Sequence, residues 1–184
     1  MRLSQLVILV LCISGAPTCS TIQSFGTQLD DTGVSARVQA LLLQDTNINA
    51  LDISVATDEN EVFLVGRVPN REQRLLAEKH ARSVTDVWSV INHLKVGVGS
   101  ADGEYSDQSL RDSIQKRILR DQNVLGLNVQ VLVHEGEAYL LGRVKSENER
   151  QQAVSVARET EGVLKVRNYL KAGRARNLDT GATQ

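Results

Sequence analysis

From residue 31 onward the apolar positions alternate between two periods. Val34, Val38 and Leu41/Leu42 recur at helical spacing, as do Leu110, Ile114 and Ile118. Asp31 and Asp107 stand ahead of these runs as candidate N-caps. The stretch DISVATDENEVFLVGRV (52–68) predicts a strand, a turn at Asp58-Glu59-Asn60 and a second strand. NVQVLVHEGEAYLLGRV (128–144) repeats that arrangement, with Glu135-Gly136 in the turn. Asn70-Arg71-Glu72-Gln73 and Ser146-Glu147-Asn148-Glu149 each place Gln or Glu three residues after a capping side chain, the signature of a helix start. The helices they open carry Ala77 and Ala81, or Ala153 and Ala157, small enough to lie close on a sheet. Closing strands are predicted over Val87–Val96 and Val163–Leu170. The order α-β-β-α-β is that of an α+β unit, two helices on one face of a three-stranded sheet.

The pattern occurs twice. Setting Gly66 on Gly142, an offset of 76, aligns 31–96 with 107–172 without a gap, and roughly a third of the pairs are identical. VFLVGRV (62–68) lies over AYLLGRV (138–144), and VWSVINHLK (87–95) over VLKVRNYLK (163–171). GVGSADGEYS (97–106) reads as a linker. Residues 173–184, without apolar periodicity, read as a disordered tail. Each unit is near the lower size limit for folding alone, so the two either pack together or are individually marginal.

Ahead of the repeats, Leu6–Ile13 form an apolar run of about eight residues behind Arg2, far short of the roughly 20 that span a bilayer. Residues 1–18 are therefore read as a signal peptide, with an N-terminal tether over 19–30. Of the two cysteines, Cys12 lies in the part that would be removed, which leaves Cys19 unable to form a disulfide within the mature chain. The stretch around Cys19 resembles a bacterial lipoprotein signal, in which a thioether-linked lipid would anchor the protein by this residue. It departs from the usual box in having Ala16-Pro17-Thr18 before the cysteine. The alternative is ordinary cleavage nearby and no anchor. Ser20 fits, by the same resemblance, sorting to the outer membrane.

A net charge of −1 over 184 residues excludes a nucleic-acid-coating protein. The charge is unevenly shared. The first repeat holds 7 basic and 9 acidic residues, the second 11 basic and 9 acidic. The first helix of the second repeat carries Arg111, Lys116, Arg117 and Arg120, whereas its counterpart has only Arg37 among basic residues. Lys116 and Arg120 point away from the Leu110/Ile114/Ile118 stripe, and Leu119 lies beside them. Basic residues framing an apolar one suit contact with anionic lipid headgroups, and suit a solvated helix face equally well. His80, His93 and His134 have no partner at metal-ligand spacing, and no nucleophile elbow or phosphate-binding loop occurs, so neither a metal, a cofactor nor a catalytic set is expected. Trp88, the sole tryptophan, aligns with Leu164 and is expected to be buried.

The Leu64-x-Gly66-x-Val68 strand end, the Ala77/Ala81 helix and Val87, Val90, Asn92 and Leu94 resemble the BON (bacterial OsmY and nodulation) domain. Leu140, Gly142, Val144, Ala153, Ala157, Val163, Val166, Asn168 and Leu170 repeat the same elements. Together with FGTQLDDTGVSARVQALL (25–42), the chain is similar to the division- and outer-membrane-stress-associated lipid-binding lipoproteins. That resemblance implies a non-enzymatic outer-membrane lipoprotein facing the periplasm, binding anionic phospholipid and supporting envelope integrity under stress. Members of that family carry an aromatic residue early in the first helix of the second domain, and Ser109 stands at that position here. A protein-interaction module docking on an envelope partner and a soluble periplasmic stress protein are the competing readings. Oligomeric state is not legible.

Overall fold

The computed structural model describes residues 23–99, 105–124 and 126–173. The first unit comprises α1 (Gln23–Gln44), β1 (Ile53–Asp58), β2 (Glu61–Val68), α2 (Arg71–Ser83) and β3 (Ser89–Val96). The second comprises α3 (Asp107–Arg120), β4 (Val129–His134), β5 (Glu137–Val144), α4 (Glu147–Arg158) and β6 (Lys165–Ala172). Each sheet has three strands, in the orders β1-β2-β3 and β4-β5-β6, with the hairpin strands antiparallel and the last strand parallel to the middle one. A parallel neighbour requires a crossover, which α2 and α4 supply. This is the α+β arrangement expected from the sequence. The expected signal segment 1–18, Cys19, half of the expected linker (100–104) and the tail from 174 lie outside the described residues.

One core lies between each sheet and its helices. Val34, Val38, Leu42, Val62, Leu64, Ala77, Ala81 and Leu94 belong to the first, and Leu110, Ile114, Ile118, Ala138, Leu140, Ala153, Ala157 and Leu170 to the second. The α2 and α4 starts are capped as the sequence suggests: Asn70 accepts from the Gln73 N–H, Ser146 from that of Glu149, and the Glu149 carboxylate accepts from the Lys145 N–H.

The two aspartates differ from expectation. Helix α1 begins eight residues before Asp31, and α3 is capped by Ser106, so neither aspartate is an N-cap. Each instead reaches to the hairpin of its own unit. Asp31 accepts from the N–H groups of Glu59 and Asn60 at 2.9 and 3.0 Å, and Asp107 from those of Glu135 and Gly136 at 2.7 and 3.0 Å. The turns hold Glu59, Asn60, Glu135 and Gly136 at positive φ, where their N–H groups face one acceptor.

Gly66 and Gly142 sit inside β2 and β5, not in loops. A Cβ at Gly66 would lie 1.9 Å from the Asp52 carbonyl oxygen, and one at Gly142 2.1 Å from that of Asn128. Glycine lets the short 3₁₀ turn before each hairpin close against its middle strand.

The units pack sheet to sheet. Alternate residues of β2 face the first core, while Phe63 and Val65 face outward and are buried by the second unit. Tyr139 and Leu141 of β5 do the same in return, and Ala56, Ile91, Leu132 and Tyr169 complete a shared apolar layer. Phe63 meets Tyr169 edge-on with ring centroids 5.0 Å apart.

Ion pairs frame this layer in matched sets. Arg67 of β2 binds Glu135 in the partner hairpin, and Arg143 of β5 binds Glu59 in the other. Lys95 reaches Glu135 at 3.0 Å and Glu137 at 3.5 Å, while Lys171 reaches Glu59 at 3.2 Å, Glu61 at 3.9 Å and Asp58 at 3.0 Å. Each of these Arg, Lys and Glu residues recurs at the 76-residue offset, so a pseudo-two-fold axis relates the units. His93 and Tyr169, themselves matched, bond to each other across it.

Candidate functional site

Helix α3 packs Leu110, Ile114 and Ile118 inward and exposes Lys116, Leu119 and Arg120 on its far side. Leu119 keeps 51% of its surface in water. Among the described residues neither Lys116 nor Arg120 has an ion-pair partner. The neighbouring acids are engaged elsewhere: Asp112 accepts from Gln108, and Asp121 accepts from Gln152 and the Asn123 N–H. Those last two bonds hold the Asp121 carboxyl below its usual range.

The structure divides the five residues that the sequence groups together. Lys116, Leu119 and Arg120 form one outward patch. Arg117 turns toward α4 and meets Glu159 at 3.6 Å. Arg111 donates to Gln108 and lines a cavity of about 610 Å³ between the units, beside Leu51, Arg67, Val98 and His134. The compact docking candidate is therefore three residues, with Arg117 at its edge. On the first unit the matched Leu43 is similarly exposed, at 55%, but has no basic frame.

Trp88 is 80% exposed, against the expectation of burial, and the matched Leu164 is 81% exposed. Trp88 stands one residue ahead of β3, where its N–H bonds the Asn60 carbonyl and Val87 packs on the core. Both units thus present a large apolar side chain at their hairpin end.

The histidines take different places. His80 bonds Asp45 at 2.7 Å inside the first unit. His93 and His134 are half-buried at the joint between units, where burial lowers the pKa of each. Against the cost of burial, hydrogen bonds from Lys95 and Arg67 hold Glu135 below its usual range. Arg143 does the same for Glu59 directly, helped by Lys171. Burial pushes the Tyr139 hydroxyl up to about 12 and raises Asp58, which Lys171 only partly offsets. Sequence reading missed this electrostatic frame, although Glu59, Arg67 and Lys95 with their counterparts at the 76-residue offset were visible in it. No cluster of three metal-ligating side chains and no membrane-crossing helix occurs among the described residues.

Two αββαβ units, repeated at an offset of 76 residues and joined sheet to sheet, define a tandem duplicated α+β fold. The model of the BON domain matches residues 30–98 and again 106–174, and the chain belongs to that family as a tandem pair. It is 34% identical over 161 residues to the osmotically-inducible protein Y of Escherichia coli (strain K12), covering 86% of this chain and 80% of that one. It is 29% identical over 154 residues to the 21 kDa hemolysin of Actinobacillus pleuropneumoniae, covering 81% and 79%. It is also 29% identical over 148 residues to the outer membrane lipoprotein DolP of Haemophilus influenzae (strain ATCC 51907 / DSM 11121 / KW20 / Rd), covering 79% and 76%.

Proposed function

We propose that this chain is an exported, non-enzymatic envelope protein of the stress-related kind, anchored through a lipid on Cys19. On this reading it faces the periplasm from the outer membrane, and its second unit docks on anionic phospholipid through Lys116, Leu119 and Arg120. The observation that carries the docking step is the outward face of α3: two exposed cations, without an ion-pair partner among the described residues, flank a half-exposed leucine. Each basic side chain near an anionic surface contributes about 1 kcal/mol, and Leu119 adds apolar contact. Such a contact is weak by itself. A diacyl anchor at Cys19 would keep the helix at high local concentration beside the surface, which makes a weak contact sufficient. The names of two relatives, an osmotically inducible protein and an outer membrane lipoprotein, support an envelope role.

Intact mass of the protein extracted from membranes, with Cys19→Ser as control, tests the anchor. A mature chain starting at acylated Cys19 is expected, and the control should lack the lipid mass. An unmodified N-terminus overturns the anchored reading.

A further inference from the structure

We propose that the joint between the two units is released by acid: it is closed while His93 and His134 are neutral and parts when they take up protons. One histidine comes from each unit, and neither position is histidine in the other repeat, where Tyr169 and Asp58 stand instead.

His93 projects from β3 onto the pseudo-two-fold axis. Its ring lies 5.2 Å from that of Tyr139 and 5.6 Å from that of Tyr169, and its Nε2 shares a hydrogen bond with the Tyr169 hydroxyl. The charged groups around it are Arg167 on β6, Arg74 on α2 and Glu137 on β5. Arg167 already engages Glu137, at 3.1 Å, so the one nearby carboxylate is shared with an arginine. A charged ring here would be desolvated beside two guanidinium groups.

His134 ends β4 next to the hairpin that inserts against the first unit. Its Nε2 is shut off from water and has no hydrogen-bond partner among the described residues. Glu135 and Asp107 lie 3.7 Å from its two nitrogens, but both carboxylates are engaged. Glu135 holds Arg67 and Lys95 of the first unit, and Asp107 holds the hairpin N–H groups. Lys95 and Arg67 therefore also face His134, across the joint.

Parting the sheets gives both rings back to water, where imidazole titrates near its ordinary pKa of about 6.5. Both rings have lower pKa values in the closed form, so opening takes up protons. The open-to-closed ratio then rises as pH falls below about 6.5, by at most about tenfold per pH unit for each proton taken up. Glu59, Glu135 and Glu137, held below the usual carboxylate range, stay charged through this window, so their ion pairs across the joint oppose the opening and are lost only when the units part, not by protonation. Asp58, raised by burial and only partly offset by the Lys171 beside it, acts in the opposite sense, favouring the closed form in acid. His80 bonds within one unit and takes no part.

Small-angle X-ray scattering of the full chain between pH 7.5 and 5.5 tests this, with far-UV circular dichroism as the folding control. The radius of gyration is expected to rise as pH falls while the dichroism stays constant. His93→Tyr restores the residue that the other repeat uses, and the double variant His93→Tyr/His134→Gln is expected to stay compact throughout. A parent chain that remains compact at pH 5.5 overturns the proposal, as does a double variant that expands like the parent. Loss of far-UV dichroism in the same window also overturns it, because the units would then be unfolding rather than separating.

Discussion

Replacing Lys116 and Arg120 together by glutamine removes two charges from the outward face of α3 without touching its buried stripe. Among the described residues neither side chain has an ion-pair partner, and both are exposed, so stability should change by no more than about 0.5 kcal/mol. At about 1 kcal/mol per basic residue near an anionic surface, the pair accounts for about 2 kcal/mol, or roughly thirtyfold in partitioning. Sedimentation with vesicles containing anionic phospholipid, at physiological ionic strength, reads this directly. Raising the salt to 1 M should erase most of the difference, since the screening length falls from about 8 to about 3 Å. The control is Arg71→Gln/Lys79→Gln on α2, which removes the same net charge from exposed positions of the first unit. The reasoning is refuted if the α3 variant binds within twofold of the parent, or if the α2 control loses as much.

Four further outcomes follow from the geometry. Gly66→Ala or Gly142→Ala drives a Cβ into a backbone carbonyl at positive φ and should cost about 3 kcal/mol or more in urea denaturation. Asp107→Asn weakens two charge-assisted bonds to the hairpin and should cost about 1–2 kcal/mol by the same assay. Trp88→Ala should change stability by less than about 0.5 kcal/mol, and acrylamide should quench Trp88 fluorescence nearly as well in native as in denatured protein. Because Glu59, Glu135 and Glu137 are held low in the folded state, their contribution is present above the ordinary carboxylate pKa of about 4.3 and is lost as pH falls below it. Thermal melts should show this second loss below about pH 4.

Within each unit the architecture was legible because local signals agreed. Asn70 and Ser146 cap as their spacing suggests, and the alanines sit at zero exposure where the helices touch the sheet. The joint was not inferred, although a sign of it was present. VFLV and AYLL are continuous apolar runs, whereas a sheet wet on one face alternates. Both middle strands are in fact covered on both faces. Trp88 was misjudged because strand-like flanks do not show where a strand begins. The roles of Asp31 and Asp107 depend on a hairpin that is distant in sequence, and local helix-capping rules carry no information about it.

The pseudo-two-fold axis has a consequence for descent. A unit that carries both the acidic turn and the basic strand ends can embrace an identical unit, and such a pair assembles only as fast as concentration allows. Joining two copies through a short linker replaces that dependence with an effective concentration in the millimolar range. Fusion also lifts a restriction, since a residue on the axis of a true homodimer must meet its own kind. Once the copies share one chain, position 93 and its mate at 169 are free to become histidine and tyrosine, a pairing that no symmetric ancestor could hold.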